Sequence, residues 1–313
     1  MTFLEIVQTA CEELGLPSPS TLEGVSLDPQ TTQLKALVNR DCQGMYRDHQ
    51  WTFLQKEFIV NVAAPTVTTG DITENSATIT NIPTTAGLDT SYAVSGNGQQ
   101  QAQRIAEVLS GTSVRCEMLS TATEVGATLT FAKDTYEIPE DLDHFLSETW
   151  WDRTNHWRLI GPDSPQMYQY IRSGIFATGP RIRWSQIGKP PVDLRIWPPP
   201  TAQNTPDALV WGYISKFWAV DAAGDGINKM TQDDDSPLLD PQAVILGCKW
   251  RLWQVKGFSA QATEFQSEYV DYVQQLMARD GGIPDLYLNR RTGPFLIGMD
   301  NVQDGNWPGP GNT

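Results

Sequence analysis

Three histidines and four cysteines are all that this 313-residue chain carries, and the shortage limits its chemistry from the outset. His49, His144 and His156 stand in no His-Glu-x-x-His or other ligand spacing, so no metal is expected. Cys11, Cys42, Cys116 and Cys248 are scattered, form no Cys-x-x-Cys pair, and read as reduced, buried small hydrophobes. There is no Gly-x-Ser-x-Gly nucleophile elbow and no Gly-x-x-x-x-Gly-Lys phosphate loop. No run approaches the roughly 18 uninterrupted apolar residues of a membrane span, so the chain reads as soluble. Met1-Thr2-Phe3-Leu4-Glu5 lacks a basic segment followed by an apolar one, and no secretory signal is expected. Positive charge is scarce as well: 22 Lys and Arg stand against 37 Asp and Glu, a net charge of -15. Tight nucleic-acid binding needs clustered cations to neutralise phosphates and is disfavoured.

What is present begins with a polar block, 64–134, rich in Thr, Ser, Gly and Asn. Its alternation, as in Ala77-Thr78-Ile79-Thr80-Asn81-Ile82, has the period of two that suits half-buried strands. It reads as an inserted module, entered and left at surface loops. Around it the helices have legible ends. Thr2 and Glu5 fit a capping box and Gly15 with Pro17 a stop, which predicts a helix over Phe3 to Leu14. Asp28-Pro29 reads as an N-cap and first-turn proline, followed by a buried stripe of Leu34, Leu37, Val38, Cys42 and Met45. Trp51-Thr52-Phe53-Leu54 opens a strand. Tyr136-Glu137-Ile138-Pro139-Glu140-Asp141-Leu142 predicts a third helix with Leu142, Phe145, Leu146 and Trp150 on its apolar side. Ser164-Pro165 starts a short fourth.

Three extended stretches, Arg181 to Gln186, Asp193 to Trp197 and Ala208 to Phe217, are separated by proline-rich turns and read as antiparallel. Asp240-Pro241 caps a helix carrying Val244, Cys248, Leu252 and Val255. A last helix from about Ala260 carries Phe265, Tyr269, Tyr272, Val273 and Leu276, and the short connection makes the two an antiparallel pair. Past Pro284 periodicity is lost, and the chain is expected to leave as an arm.

Enzymatic constellations are weak. His144 and His156 are expected on helix surfaces or satisfied in the core. Gly96-Asn97-Gly98 and Gly224-Asp225-Gly226 are turn signals. Asp233-Asp234-Asp235 lacks the alternating ligands of a calcium loop and reads as a solvated acidic run leading into a helix. The tryptophans, including Trp150, Trp151, Trp157, Trp184, Trp197, Trp211, Trp218, Trp250 and Trp253, invite a sugar-binding reading, with Glu137 and Asp141 as a glycosidase acid and base. They fit cores and interfaces equally well. No catalytic residue and no cofactor is expected.

The two N-terminal helices, the Trp51 to Leu54 strand opening and the Tyr136 to Leu142 segment follow one another in a particular order. With Asp193-Leu194-Arg195-Ile196-Trp197-Pro198-Pro199-Pro200, the Trp211 to Phe217 strand and Asp233-Asp234-Asp235-Ser236-Pro237 before the final helix pair, that order resembles the head-to-tail adaptor proteins of short-tailed bacteriophages. Residues Thr69 to Phe131, with Gly70-Asp71 and Thr85-Ala86-Gly87-Leu88, are similar to a small β-module of phage structural proteins. The resemblance implies a virion protein at the tail neck, made in the host cytoplasm. It would form a homo-oligomeric ring, a dodecamer, under the portal, extend the DNA channel and give a platform for the tail nozzle or tail tube, with a tail fibre as a further neighbour. DNA would pass without sequence-specific binding.

The expected fold is α+β, a mainly helical bundle core with short antiparallel strands. The adaptor body would take 1–63 and 135–282, the inserted β-sandwich or barrel-like module 64–134, and an extended C-terminal arm 283–313. Alternating Leu286, Leu288, Phe295 and Ile297, with Trp307, are the expected portal-binding residues, as for an added strand. The alternative reading is a tail-associated receptor-binding or glycan-binding protein.

Overall fold

A computed structural model describes residues 1–24, 28–101, 103–173, 182–188, 193–201 and 207–281. The chain opens with α1 (Phe3–Glu13) and α2 (Pro29–Asp48), then a 3-10 turn at Thr52–Leu54. Strands β1 (Gln55–Asn61), β2 (Thr66–Ile72), β3 (Thr78–Ile79), β4 (Tyr92–Gly96), β5 (Gln103–Ser110), β6 (Ser113–Cys116) and β7 (Glu124–Lys133) come next. They are followed by β8 (Thr135–Glu137), β9 (Leu142–Phe145), β10 (Trp151–Asp152), β11 (Trp157–Arg158) and helix α3 (Pro165–Arg172). Then come β12 (Arg183–Ile187), β13 (Asp193–Trp197), β14 (Ala208–Ser215), β15 (Ala219–Val220), β16 (Gly226–Ile227), β17 (Ser236–Pro237), α4 (Pro241–Val255) and α5 (Ser259–Asp280).

The expected helical-bundle core is overturned. Five helices account for 30% of the described residues and strands for 31%, arranged in several antiparallel sheets, one of them a nearly closed barrel. The error is concentrated between Tyr136 and Trp150, where strands β8 and β9 replace the expected third helix. Helices α2, α3 and α4 each begin with a polar cap before proline: Asp28, Ser164 and Asp240 accept from backbone amides at the helix start. At the failed position the residue before Pro139 is Ile138, which has no acceptor to offer. β8 instead pairs with β13, Tyr136 opposite Leu194, and β9 pairs with the end of β14, Tyr213 opposite Phe145.

The chain divides into two compact units. The first takes Met1–Lys56, Asp141–Leu146 and, from Tyr213, the C-terminal helices. Its core joins Phe3, Ile6 and Val7 of α1, Leu34, Val38 and Met45 of α2, and Val244, Ile245 and Cys248 of α4. The α1 capping box is complete, Thr2 and Glu5 bonding each other's backbone amides. Two further amides at the start of α1 are satisfied from the acidic run, Phe3 donating to the Asp235 carbonyl at 2.6 Å and Leu4 to the Asp233 carbonyl at 3.2 Å. The run is therefore not a solvated face. Asp235 is buried and its carboxylate accepts from the Thr231 and Gln232 amides, while Asp233 accepts from Leu22 and Thr21.

The second unit takes Glu57–Glu140 and Ser147–Gly212. Its six-stranded sheet runs β2-β7-β4-β5-β6-β3. The reciprocal backbone bonds of Asp71 and Thr80, 2.7 and 3.0 Å, bring the two ends of that order together. Ala127, Leu129 and Phe131 of β7 alternate inward to meet Ile72, Ile79, Val94 and Val114. Gly96 lies beside β7 with φ near +146°, where a β-carbon would strike the Thr128 carbonyl, so only glycine fits. A second core stacks Trp150 edge-on to Trp184 at 4.9 Å and Trp184 edge-on to Trp211 at 6.1 Å.

Candidate functional site

In the first unit the spacing i, i+3, i+4, i+7, i+8 places Thr32, Lys35, Ala36, Asn39 and Arg40 on one face of α2. Facing residues 228–231, they line a groove of about 610 Å³ floored by buried Trp218. The wall opposite α2 is fixed: Asn39 gives its amide to the Met230 carbonyl at 3.0 Å and takes the Met230 amide at 2.9 Å. Lys35 donates to the Leu22 carbonyl at 2.5 Å. Among the described residues, Lys35, Arg40 and Lys229 give the lining three cations and no carboxylate.

On the opposite, buried face of α2, Asp41 is sealed among apolar neighbours at 0% exposure. Arg251 of α4 donates to its Oδ1 at 2.8 Å, while Oδ2 has no partner in hydrogen-bond geometry, although Tyr269 stands close enough to favour the anion. Burial pushes its carboxyl up to about 6, with Arg251 opposing. Sequence reasoning passed over Asp41, yet the signal was there: it occupies the apolar stripe of Leu34, Leu37, Val38, Cys42 and Met45, where a carboxylate needs a partner.

The second unit holds a denser charge network. Arg104, 1% exposed, donates to both oxygens of buried Asp134 at 2.5 Å, to the Thr90 carbonyl at 2.7 Å and to the Thr135 hydroxyl at 3.0 Å. The Thr135 hydroxyl donates to Asp134 at 2.9 Å and accepts from Arg195 at 3.0 Å. Burial pushes the Asp134 carboxyl up, and the Arg104 and Arg195 cations hold it back. Arg104 and Arg195 also line a polar cleft of about 520 Å³ with Glu117, Lys133, Glu137 and Asp193. Every donor that faces Asp134 is matched, which fits a structural joint between β5, β8 and β13.

Elsewhere in this unit Asn155 donates to Asp152 at 2.9 Å and Asp207 at 3.2 Å. Burial first, then Asp152, push Asp207 up to about 6. Among the described residues, Asp152 and Asp207 are the two carboxylates that meet there. Among the described residues no group of three His, Cys, Asp or Glu could hold a metal.

The portal-binding residues expected from sequence, Leu286, Leu288, Phe295, Ile297 and Trp307, lie outside the described residues. The four cysteines are free and buried. Among the described residues no helix is long and apolar enough to cross a membrane. His144 lies on a strand, not a helix, with Nδ1 2.6 Å from Asp143, and His156 sits in a turn with φ near 57°. Trp150, Trp184, Trp197, Trp211, Trp218 and Trp250 are all 9% exposed or less, and a buried indole offers no face to a sugar, whereas Trp151, Trp157 and Trp253 are half-buried. Asp141 accepts from Lys56, Tyr213 and Ser215. Against the upward push of its burial, those bonds hold its carboxyl below the usual range, so it stays ionised and would not serve as the acid of a glycosidase pair. No protein-family model matches the chain, and no curated protein matches it.

Proposed function

We propose that this chain is a virion structural protein, a ring-forming head-to-tail adaptor that docks under a portal, extends the DNA channel and gives a platform for the tail nozzle. The observation that carries the reading is α5. This helix has 22 residues, of which Ala262, Tyr269 and Val273 are buried, so a rod about 33 Å long keeps most of its surface bare. Val255 at the end of α4, Phe258 at the start of α5 and Val270 midway along it add exposed apolar area. A long, bare helix is what a lateral neighbour in a closed ring covers, and head-to-tail closure uses a different face on each side of the subunit.

Charge supports the same reading. A net -15 disfavours adhesion of DNA to the walls of a channel, so a genome slides past without being held. The test is native mass spectrometry and negative-stain imaging of the purified protein, alone and mixed with its portal. Rings, or rings stacked on the portal, are expected. A monomer that never associates with the portal, or a monomer or trimer that binds glycans on an array, overturns the reading.

A further inference from the structure

The ring reading leaves open which surfaces meet, and the first unit carries two bare helix faces of opposite sign. One is the groove on α2, with Lys35, Arg40 and Lys229 and, among the described residues, no carboxylate in its lining. Arg40 and Lys229 are exposed, and neither makes an ion pair among the described residues. In a chain with 15 more acidic than basic side chains, a groove whose described charged lining residues are all cations is out of character with that balance. Its walls are pinned by the Asn39 and Lys35 bonds, so the cations are presented on a fixed surface.

The other face is on α5. Glu264, Glu268 and Asp271 follow at i, i+4 and i+7, which sets them in one stripe, and all three are exposed. None of them makes an ion pair among the described residues. Like charges at that spacing destabilise an isolated helix, a repulsion that a cationic partner removes. The stripe spans about 10 Å along its helix, and the α2 side of the groove, from Thr32 to Gln43, about 16 Å. No residue of the stripe lines the groove.

Resting on the ring reading, we propose that subunits join head to tail by seating the acidic stripe of α5 on one copy in the basic groove of α2 on the next. The occupant of the groove is a second copy of this chain, chosen by charge complementarity. Two different faces per subunit that fit each other are the requirement for a heterologous ring, and complementary potentials fix the register of such a contact.

The experiment compares the wild type with R40E/K229E, with E264K/E268K and with the quadruple variant, by sedimentation velocity and native mass spectrometry. Each charge reversal turns attraction into repulsion at two or more exposed contacts, so assembly should need about tenfold more protein or above. The quadruple variant exchanges the signs of the two faces, and assembly should return to within about threefold of wild type. R40Q/K229Q and E264Q/E268Q repeat the reading at smaller amplitude with the fold undisturbed.

Wild-type rings together with unimpaired reversal variants would overturn this interface while leaving the ring reading standing. Rings unimpaired in R40E/K229E, but with weakened binding of short duplex DNA, would make the groove a phosphate site and likewise overturn the proposal. A wild type that forms no ring, with or without portal, would remove the ring reading and this interface with it.

Discussion

Replacing Gly247 with alanine isolates the closest approach between α2 and α4. By helix propensity alone the change should stabilise α4 by about 1 kcal/mol, since glycine in a helix interior is that much worse than alanine. The geometry reverses the sign. A β-carbon at 247 would run into the Asp41 carboxylate, which has no exposed surface into which to retreat and is tethered to Arg251 at 2.8 Å. Overpacking of this kind costs about 1–3 kcal/mol, and loss of a hydrogen bond to a charged group about 1.5–3 kcal/mol more. Against the propensity gain, G247A should therefore destabilise by about 1.5–5 kcal/mol. The assay is urea denaturation of wild type, G247A, D41A and the double variant. Shortening Asp41 to alanine opens the space, so G247A should be neutral or stabilising in that background, a coupling of about 2 kcal/mol or more. A G247A protein as stable as wild type, or a double variant whose effects simply add, would refute the reasoning.

The same carboxylate sets a pH dependence. With its folded value near 6, Asp41 keeps its proton in the native state where the unfolded chain has lost it. Its contribution is largest below about pH 4, falls by about 3 kcal/mol as pH rises to 6, and is flat above. D41N, in which the amide oxygen can still accept from Arg251, should abolish that slope in urea titrations at pH 4 to 7, and an unchanged slope would remove Asp41 as its source. R104M should cost the second unit about 3–5 kcal/mol by leaving Asp134 buried and unpaired, and R104M/D134N should recover part of it. Equal instability of single and double variants in denaturant melts would contradict the network. W184A, which removes the ring between Trp150 and Trp211, should lower stability by about 3–5 kcal/mol, whereas an exposed sugar platform would lose glycan binding with no change in melting.

Local signals with a physical mechanism were legible in the sequence. Asp28-Pro29, Ser164-Pro165 and Asp240-Pro241 each gave a helix start because cap and proline act within one turn, and α1 followed from its capping box. The segment after Ile138 shows the limit. Its apolar spacing suits a helix, but without a capping side chain the backbone took a partner far away in sequence, β9 pairing with β14, while β8 just before Ile138 pairs with β13, and no local rule predicts those. Overvaluing that segment is how an expected helical core gave way to sheets. The Arg104–Asp134 pair lies 30 residues apart in sequence, and the acidic run at Asp233 to Asp235 looked solvated because its customers, the α1 amides, lie more than 200 residues upstream. Asp41 was readable from its stripe, since a carboxylate among Leu34, Val38 and Met45 announces a partner.

The central claim is that copies of this chain close into a ring that seats on a portal, and the mass of the assembled species tests it most directly. Mixed with its portal, the protein should give a native mass spectrum of one closed oligomer with a fixed subunit number, and a particle with a central opening in negative stain. A spectrum of monomers at every concentration, with the portal running separately, would contradict the account.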